Sequence, residues 1–294
     1  MKRAAPAIWI SLFLLLSACS STPSEETAVD PASEVPTQEP WAFPRSLFGT
    51  DACFVLFDLQ ADRVVEVLGE ERCRERVPAC STFKVPLAAM AFDTEVLKDL
   101  TTKMPWSGKK SMIPAWNRDH SPKSWMRESV VWFSQRLTPR IGRRRIQKYL
   151  EKFKYGNQDF SGGLQDAWLT PAPFLKAPPK TSVLVSAYDQ IDFLKQLYRG
   201  TLPISQPARQ LTRRVMTSEK SPKGFIMTGK TGSGFVGEKA DLRLGWYVAH
   251  LKRGEQEFVS VVTFTDRTPI RKPGFGGLLA KDAMKALLKD RGYW

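Results

Sequence analysis

Ser81-Thr82-Phe83-Lys84 sets a hydroxyl and an amine three residues apart, and Lys230-Thr231-Gly232 follows 146 residues after Lys84. On a helix, positions i and i+3 share a face, so Ser81 and Lys84 can meet. An uncharged amine, or a derivative of one, can take a proton from a serine; the pair is then a nucleophile with its own base. Lys230-Thr231-Gly232 adds a fixed positive charge, a hydroxyl and a backbone free of side chain, a set suited to holding a substrate carboxylate beside that nucleophile. Taken alone, each motif is weak, because a serine at a helix N-terminus is more often a cap. Their order and separation together carry the weight. The only histidines, His120 and His250, lie 130 residues apart, and neither Cys-x-x-Cys nor His-Glu-x-x-His occurs. A zinc site or a histidine-based triad is therefore not expected.

The elements that must position these groups can be sketched from pattern. Cys53–Phe57 and Val64–Leu68 flank Asp62-Arg63 and predict a hairpin. Thr82–Leu97, rich in Ala, Val, Leu and Met, predicts a buried helix opening at the Ser81 motif. Residues 101–122 show no clear period, and Trp106, Trp116 and Trp125 suggest an aromatic-packed region. Thr138-Pro139 predicts a helix start, with Thr138 as cap and the helix running to Phe153. Ser186 and Asp189 form a capping-box pattern opening a helix to Arg199, stopped by Gly200. A helix over Pro207–Met216, a short strand over Gly224–Thr228, strands over Leu244–Leu251 and Phe258–Phe264 around Gly254, and a helix over Gly277–Leu288 complete the sketch. Strands at both ends enclosing a helical middle predict an α+β fold: an antiparallel sheet formed by the N- and C-terminal segments, flanking helices and an inserted helical lobe.

Five motifs in order make the chain resemble the class D (oxacillinase-type) serine β-lactamases, within the penicillin-recognising serine enzymes. They are Ser81-Thr82-Phe83-Lys84, Ser129-Val130-Val131, Tyr155-Gly156-Asn157, Trp168 and Lys230-Thr231-Gly232. The likeness spans roughly residues 50–290. It implies a β-lactamase/transpeptidase-like fold and hydrolysis of β-lactams through an acyl-enzyme at Ser81. It also implies that Lys84 is carboxylated by CO₂ or bicarbonate, no other cofactor and no metal being called for. The resulting N6-carboxylysine would act as base in acylation and deacylation. Ser129 would carry a proton toward the leaving nitrogen. Val131 would help desolvate Lys84, and the Trp168 indole N–H would bond the carbamate. Lys230, Thr231, Gly232 and Ser233 would line the opposite wall, with main-chain N–H groups of Ser81 and Ser233 as the oxyanion hole. Arg271 would pair with the substrate carboxylate. Tyr155-Gly156-Asn157 reads as a turn anchoring the Trp168 loop, and valine at position 131 separates the chain from class A enzymes and transpeptidases with Ser-x-Asn.

The N-terminus points to export. Lys2 and Arg3 precede an apolar stretch, Ala7–Leu16, too short to span a bilayer comfortably. Leu16-Ser17-Ala18-Cys19 reads as a lipobox that makes a lipidated Cys19 the mature N-terminus, with residues 1–18 as signal peptide. Ser20, in place of Asp, favours the outer membrane, facing the periplasm. Residues 19–44, rich in proline and acidic residues, predict a disordered tether, leaving 45–294 as the catalytic domain. The formal net charge is +14, and residues 45–294 carry +17 because Lys2, Arg3 and the five acids of the tether fall outside them. Such a body attracts anionic surfaces without specificity. No base-stacking aromatic motif accompanies the basic runs, so nucleic acid is not an expected partner; β-lactams and, through the anchor, a membrane are, with a homodimer left open. Outside the inner membrane a disulfide is permitted; pairing of Cys53 with Cys73 and three free thiols both remain open, and Cys80 reads as packing. Rival readings are a β-lactam sensor that acylates without turnover, a penicillin-binding transpeptidase, and a structural lipoprotein with a decayed site.

Overall fold

The computed structural model describes residues 42–294 apart from Pro173, Lys176 and residues 270–273. The signal peptide, Cys19 and most of the tether therefore lie outside the described residues, as does Arg271. In chain order the elements are β1 (Thr50–Asp58), β2 (Arg63–Leu68), α1 (Glu70–Arg74), β3 (Val77–Pro78), a 3₁₀ turn over Cys80–Phe83, α2 (Lys84–Asp93), α3 (Pro122–Glu128), α4 (Val131–Ile141) and α5 (Arg143–Phe153). There follow β4 (Leu184–Val185), α6 (Ala187–Arg199), α7 (Gln206–Val215), β5 (Thr217–Lys220), β6 (Ile226–Val236), β7 (Leu242–Arg253), β8 (Gln256–Asp266) and α8 (Gly276–Asp290). Six strands form one antiparallel sheet in the order β2-β1-β8-β7-β6-β5. The N-terminal hairpin thus joins the C-terminal strands, as the α+β reading requires, and the intervening residues supply the helical lobe.

Both faces of the sheet are covered, and the period of two in β1 divides its side chains between them. Phe54 and Leu56 pack with Tyr247, Val262 and Phe264 against Ala280, Ala283, Met284 and Leu287 of α8. Cys53, Val55 and Phe57 join Trp246, Val248 and Val261 on the side of the helical lobe. Helix α2 runs through that second core, and every residue from Lys84 to Phe92 is buried. A helix apolar all round belongs in a domain interior, and the lysine at its first position is desolvated by that placement.

Several sequence expectations hold. The capping box of Ser186 and Asp189 is formed in both directions, and Gly200 ends α6 in the left-handed conformation. Gly254 turns β7 into β8 with φ 55°. Of the two readings left open for Cys53 and Cys73, the structure has the disulfide, and Cys80 is buried and free, as its packing role requires. Three expectations need correction. Thr138-Pro139 starts no helix: Pro139 lies inside α4, and the break falls at Gly142 before α5. Proline cannot donate to the carbonyl four residues back, and that carbonyl, Gln135 O, instead accepts from Gln165 Nε2 at 2.8 Å. The buried helix begins only at Lys84 and ends at Asp93, with Ser81 on the 3₁₀ turn before it. The short strand expected before Lys230 is one continuous strand, β6, that carries Lys230-Thr231-Gly232 in its middle, because its full length pairs with β7.

Candidate active site

Ser81 is half-buried on the 3₁₀ turn, and Lys84 opens α2 directly behind it. The tight turn keeps the i,i+3 relation, and Lys84 Nζ lies 3.0 Å from Ser81 Oγ. Lys84 is 0 % exposed. Burial pushes its pKa well below the ordinary lysine value, and the positive charge of Lys230 pushes it further. An ammonium cannot accept a proton, whereas the free amine favoured here can accept one or add CO₂. Cys80, just ahead of Ser81, has φ 50°, a conformation that non-glycine residues hold only when their surroundings impose it. Its thiol is pushed up to about 12 by burial, so it stays protonated beside the nucleophile.

Strand β6 forms the facing wall. Lys230 is 3 % exposed, and burial lowers its pKa to about 7. Its Nζ donates to Thr231 O at 2.8 Å and to Thr231 Oγ1 at 3.3 Å. Gly232 faces the nucleophile's turn closely: a Cβ there would meet Trp246 Cβ at 3.0 Å and Thr82 Cγ2 at 3.1 Å. Ser233 Oγ accepts from Gly277 N at 2.9 Å, tying the start of α8 to the same strand. Trp246, on β7 opposite Gly232, donates its indole N–H to Pro78 O at 3.0 Å. That bond fixes the segment leading into Ser81 to the sheet.

Trp168 is fully buried and stacks on Phe83, with centroids 5.2 Å apart at 24°. Phe83 also packs against Tyr155 and Phe160. The loop bearing Trp168 is held through Asn157, whose Nδ2 donates to Ser182 O at 2.7 Å and whose Oδ1 accepts from Leu184 N at 3.1 Å. Ser182 and Val183 in turn donate to Ala167 O. Gly156 has φ 58°, and a Cβ on it would meet Leu184 O at 2.1 Å, so no side chain fits there. Tyr155-Gly156-Asn157 therefore anchors the Trp168 loop. The Trp168 Nε1 itself is buried with no hydrogen-bond partner. Buried donors are rarely left so. An unpaired indole N–H on the ring stacked against Phe83, and a buried Lys84 whose charged form is disfavoured by desolvation and by Lys230, together suit a negatively charged group carried on Lys84.

Val131 begins α4 and is 4 % exposed. Ser129 occupies the turn between α3 and α4, half-buried, with φ 55° and ψ 38°. Sequence reasoning missed Trp246, Gln190, which donates to Thr82 Oγ1 at 2.8 Å, and Thr170, whose hydroxyl accepts from Phe235 N at 3.0 Å. Each acts on a residue far away in sequence, so no local pattern marks it. Among the described residues, no three His, Cys, Asp or Glu side chains are grouped to hold a metal, and no helix is long and apolar enough to cross a membrane.

A family model described as the penicillin-binding protein transpeptidase domain matches residues 52–289. β-Lactamase OXA-1 of Escherichia coli is 35% identical over 224 residues, covering 73% of this chain and 77% of the relative. The chain belongs to the class D serine β-lactamases. Probable β-lactamase YbxI of Bacillus subtilis (strain 168) is 32% identical over 243 residues, covering 83% of this chain and 82% of that protein. The crystal structure of a class D β-lactamase from Bacillus subtilis superposes with a TM-score of 0.72 at 31% identity, covering 84% of this chain and 94% of that one. The class D fold thus spans the sheet and the helical lobe.

Proposed function

We propose that this class D enzyme hydrolyses β-lactam antibiotics through an acyl-enzyme on Ser81. The observation that carries the reading is the fully buried Lys84 amine 3.0 Å from the Ser81 hydroxyl. Ser81 Oγ attacks the β-lactam carbonyl, and the oxyanion is met by the main-chain N–H groups of Ser81 and Ser233. Ser129 passes a proton to the departing ring nitrogen, and water later releases the acyl group. Lys230 and Thr231 hold negative charge on the substrate, Gly232 lets it approach the strand, and Arg271 pairs with its carboxylate. Carboxylated by CO₂, Lys84 would supply an anionic base for both acylation and deacylation, with Val131 keeping water away and the Trp168 N–H as the donor that holds it.

The test is turnover of a chromogenic cephalosporin by the purified protein and by Ser81→Ala and Lys84→Ala. General-base catalysis is worth about 10²–10⁴ in rate, so Lys84→Ala loses at least that much and Ser81→Ala shows no turnover. Retained hydrolysis in Lys84→Ala excludes it as the base. Covalent labelling without turnover in the parent protein identifies a sensor or transpeptidase instead.

The mature enzyme is lipid-anchored through Cys19 and faces the periplasm from the outer membrane. Supporting this are the basic start, the apolar Ala7–Leu16 stretch and the Leu16–Cys19 lipobox. Cys19→Ala releases the protein from the membrane fraction, and unchanged fractionation removes the anchor.

A further inference from the structure

Ser129 must aim its hydroxyl from an unfavourable backbone. It terminates α3 in the left-handed region, φ 55° and ψ 38°, with its own N–H bonded to Trp125 O. The next residue, Val130, also donates to Trp125 O, at 3.1 Å. The Ser129 side chain is half-buried on the turn between α3 and α4. The direction in which its Cα–Cβ bond leaves the chain is set by the peptide planes on either side, and a non-glycine residue stays in this conformation only where its neighbours enforce it.

One neighbour does so from outside the helix. Trp116, 6 % exposed, donates its indole N–H to Glu128 O at 2.8 Å. That carbonyl belongs to the peptide linking Glu128 to Ser129. Trp116 is itself held: Trp132 Nε1, on α4, donates to Trp116 O at 2.9 Å, and the Trp116 ring meets Phe174 edge-on at 5.2 Å. The Glu128 side chain is fixed separately, its Oε1 accepting from Arg118 at 2.5 Å and from Arg127 at 2.7 Å. The residue ahead of Ser129 is thus clamped at both its carbonyl and its carboxylate.

We propose that Trp116 is a positioning residue for Ser129, its indole N–H fixing the Glu128–Ser129 peptide so that the serine hydroxyl points at the leaving nitrogen. The inference rests on the reading of Ser129 as the proton carrier of acylation. Trp116 touches none of the reacting atoms in this scheme; it acts through one carbonyl. A loss at Trp116 therefore appears in ring opening and not in release of the acyl group.

The experiment replaces Trp116 by β-(3-benzothienyl)alanine, which keeps the ring shape and exchanges N–H for sulfur, in the full-length enzyme and in Ser129→Ala. Acylation and deacylation are timed separately by quenched-flow mass spectrometry with a slowly released penicillin. Loss of one neutral hydrogen bond predicts acylation slower by roughly 3- to 10-fold, with deacylation unchanged. In the Ser129→Ala background the same replacement has no further effect, because both changes remove one function. Equal slowing of acylation in both backgrounds, slowing of deacylation as well, or no slowing while Ser129→Ala alone is slow, overturns the role of Trp116 and leaves that of Ser129 intact. Acylation undiminished in Ser129→Ala overturns the reading of Ser129 itself and this inference with it.

Discussion

Trp168→Phe isolates one atom of the site. The Trp168 Nε1 is buried and unpaired, while its ring stacks on Phe83 at 5.2 Å. Phenylalanine retains much of that stack and removes the donor. An unpaired buried donor costs about 1–3 kcal/mol, and a hydrogen bond to a charged group contributes about 1.5–3 kcal/mol. In CO₂-free buffer the substitution therefore sacrifices no hydrogen bond, and the relief of that unpaired donor offsets the packing lost with the smaller ring. With bicarbonate present, the proposed carboxylation of Lys84 would give the parent enzyme a charge-assisted bond to the carbamate that the variant lacks. At 1.4 kcal/mol per decade, the half-saturating bicarbonate concentration for turnover rises roughly 10- to 140-fold in Trp168→Phe. Turnover of a chromogenic cephalosporin measured against bicarbonate gives this ratio, and ¹³C NMR with labelled bicarbonate follows the carbamate directly. Identical half-saturation in the two proteins refutes the role of the indole N–H.

Three further outcomes follow from the geometry. Lys230 has a pKa of about 7 and Lys84 lies well below its ordinary value, against 10.5 for an exposed lysine. Between those values the unfolded chain binds more protons, so stability in CO₂-free buffer rises with pH across that window. Urea midpoints should climb less steeply in Lys230→Met than in the parent, and equal slopes contradict the shift. Cys53 and Cys73 are 20 residues apart, so replacing both by alanine removes about 3 kcal/mol; an unchanged urea midpoint argues against the bridge. A Cβ on Gly277 would meet Gly232 O at 2.7 Å and Thr231 Cβ at 2.9 Å. Gly277→Ala should therefore destabilise the protein by about 1–3 kcal/mol through overpacking and weaken substrate binding. KM unchanged with full stability counters that.

What could be read from sequence was local. The β1–β2 hairpin, the capped helix α6 and the β7–β8 hairpin each carry their own period and punctuation. Ser81 and Lys84 were legible because their relation is three residues long. Helix α4 was missed because Pro139 suggests a start, and its rescue by Gln165 comes from 30 residues away in sequence. The continuity of β6 through Lys230 depends on pairing with β7, which no period within β6 reveals. The support of the site was hidden for the same reason: Trp246 reaches Pro78 across 168 residues, and Gln190 reaches Thr82 across 108. The resemblance supplied the importance of Trp168 and Ser129, and the coordinates add the unpaired indole and the left-handed backbone.

The central claim is that Ser81, served by the buried Lys84, is transiently acylated and then released. Intact-mass spectrometry of the enzyme mixed with a penicillin, resolved in time and mapped by peptide digestion, tests it most directly. The account predicts a mass gain equal to the whole penicillin, confined to the peptide bearing Ser81, that decays as hydrolysed product accumulates. Product formation with no adduct at Ser81, or an adduct on another residue, contradicts it.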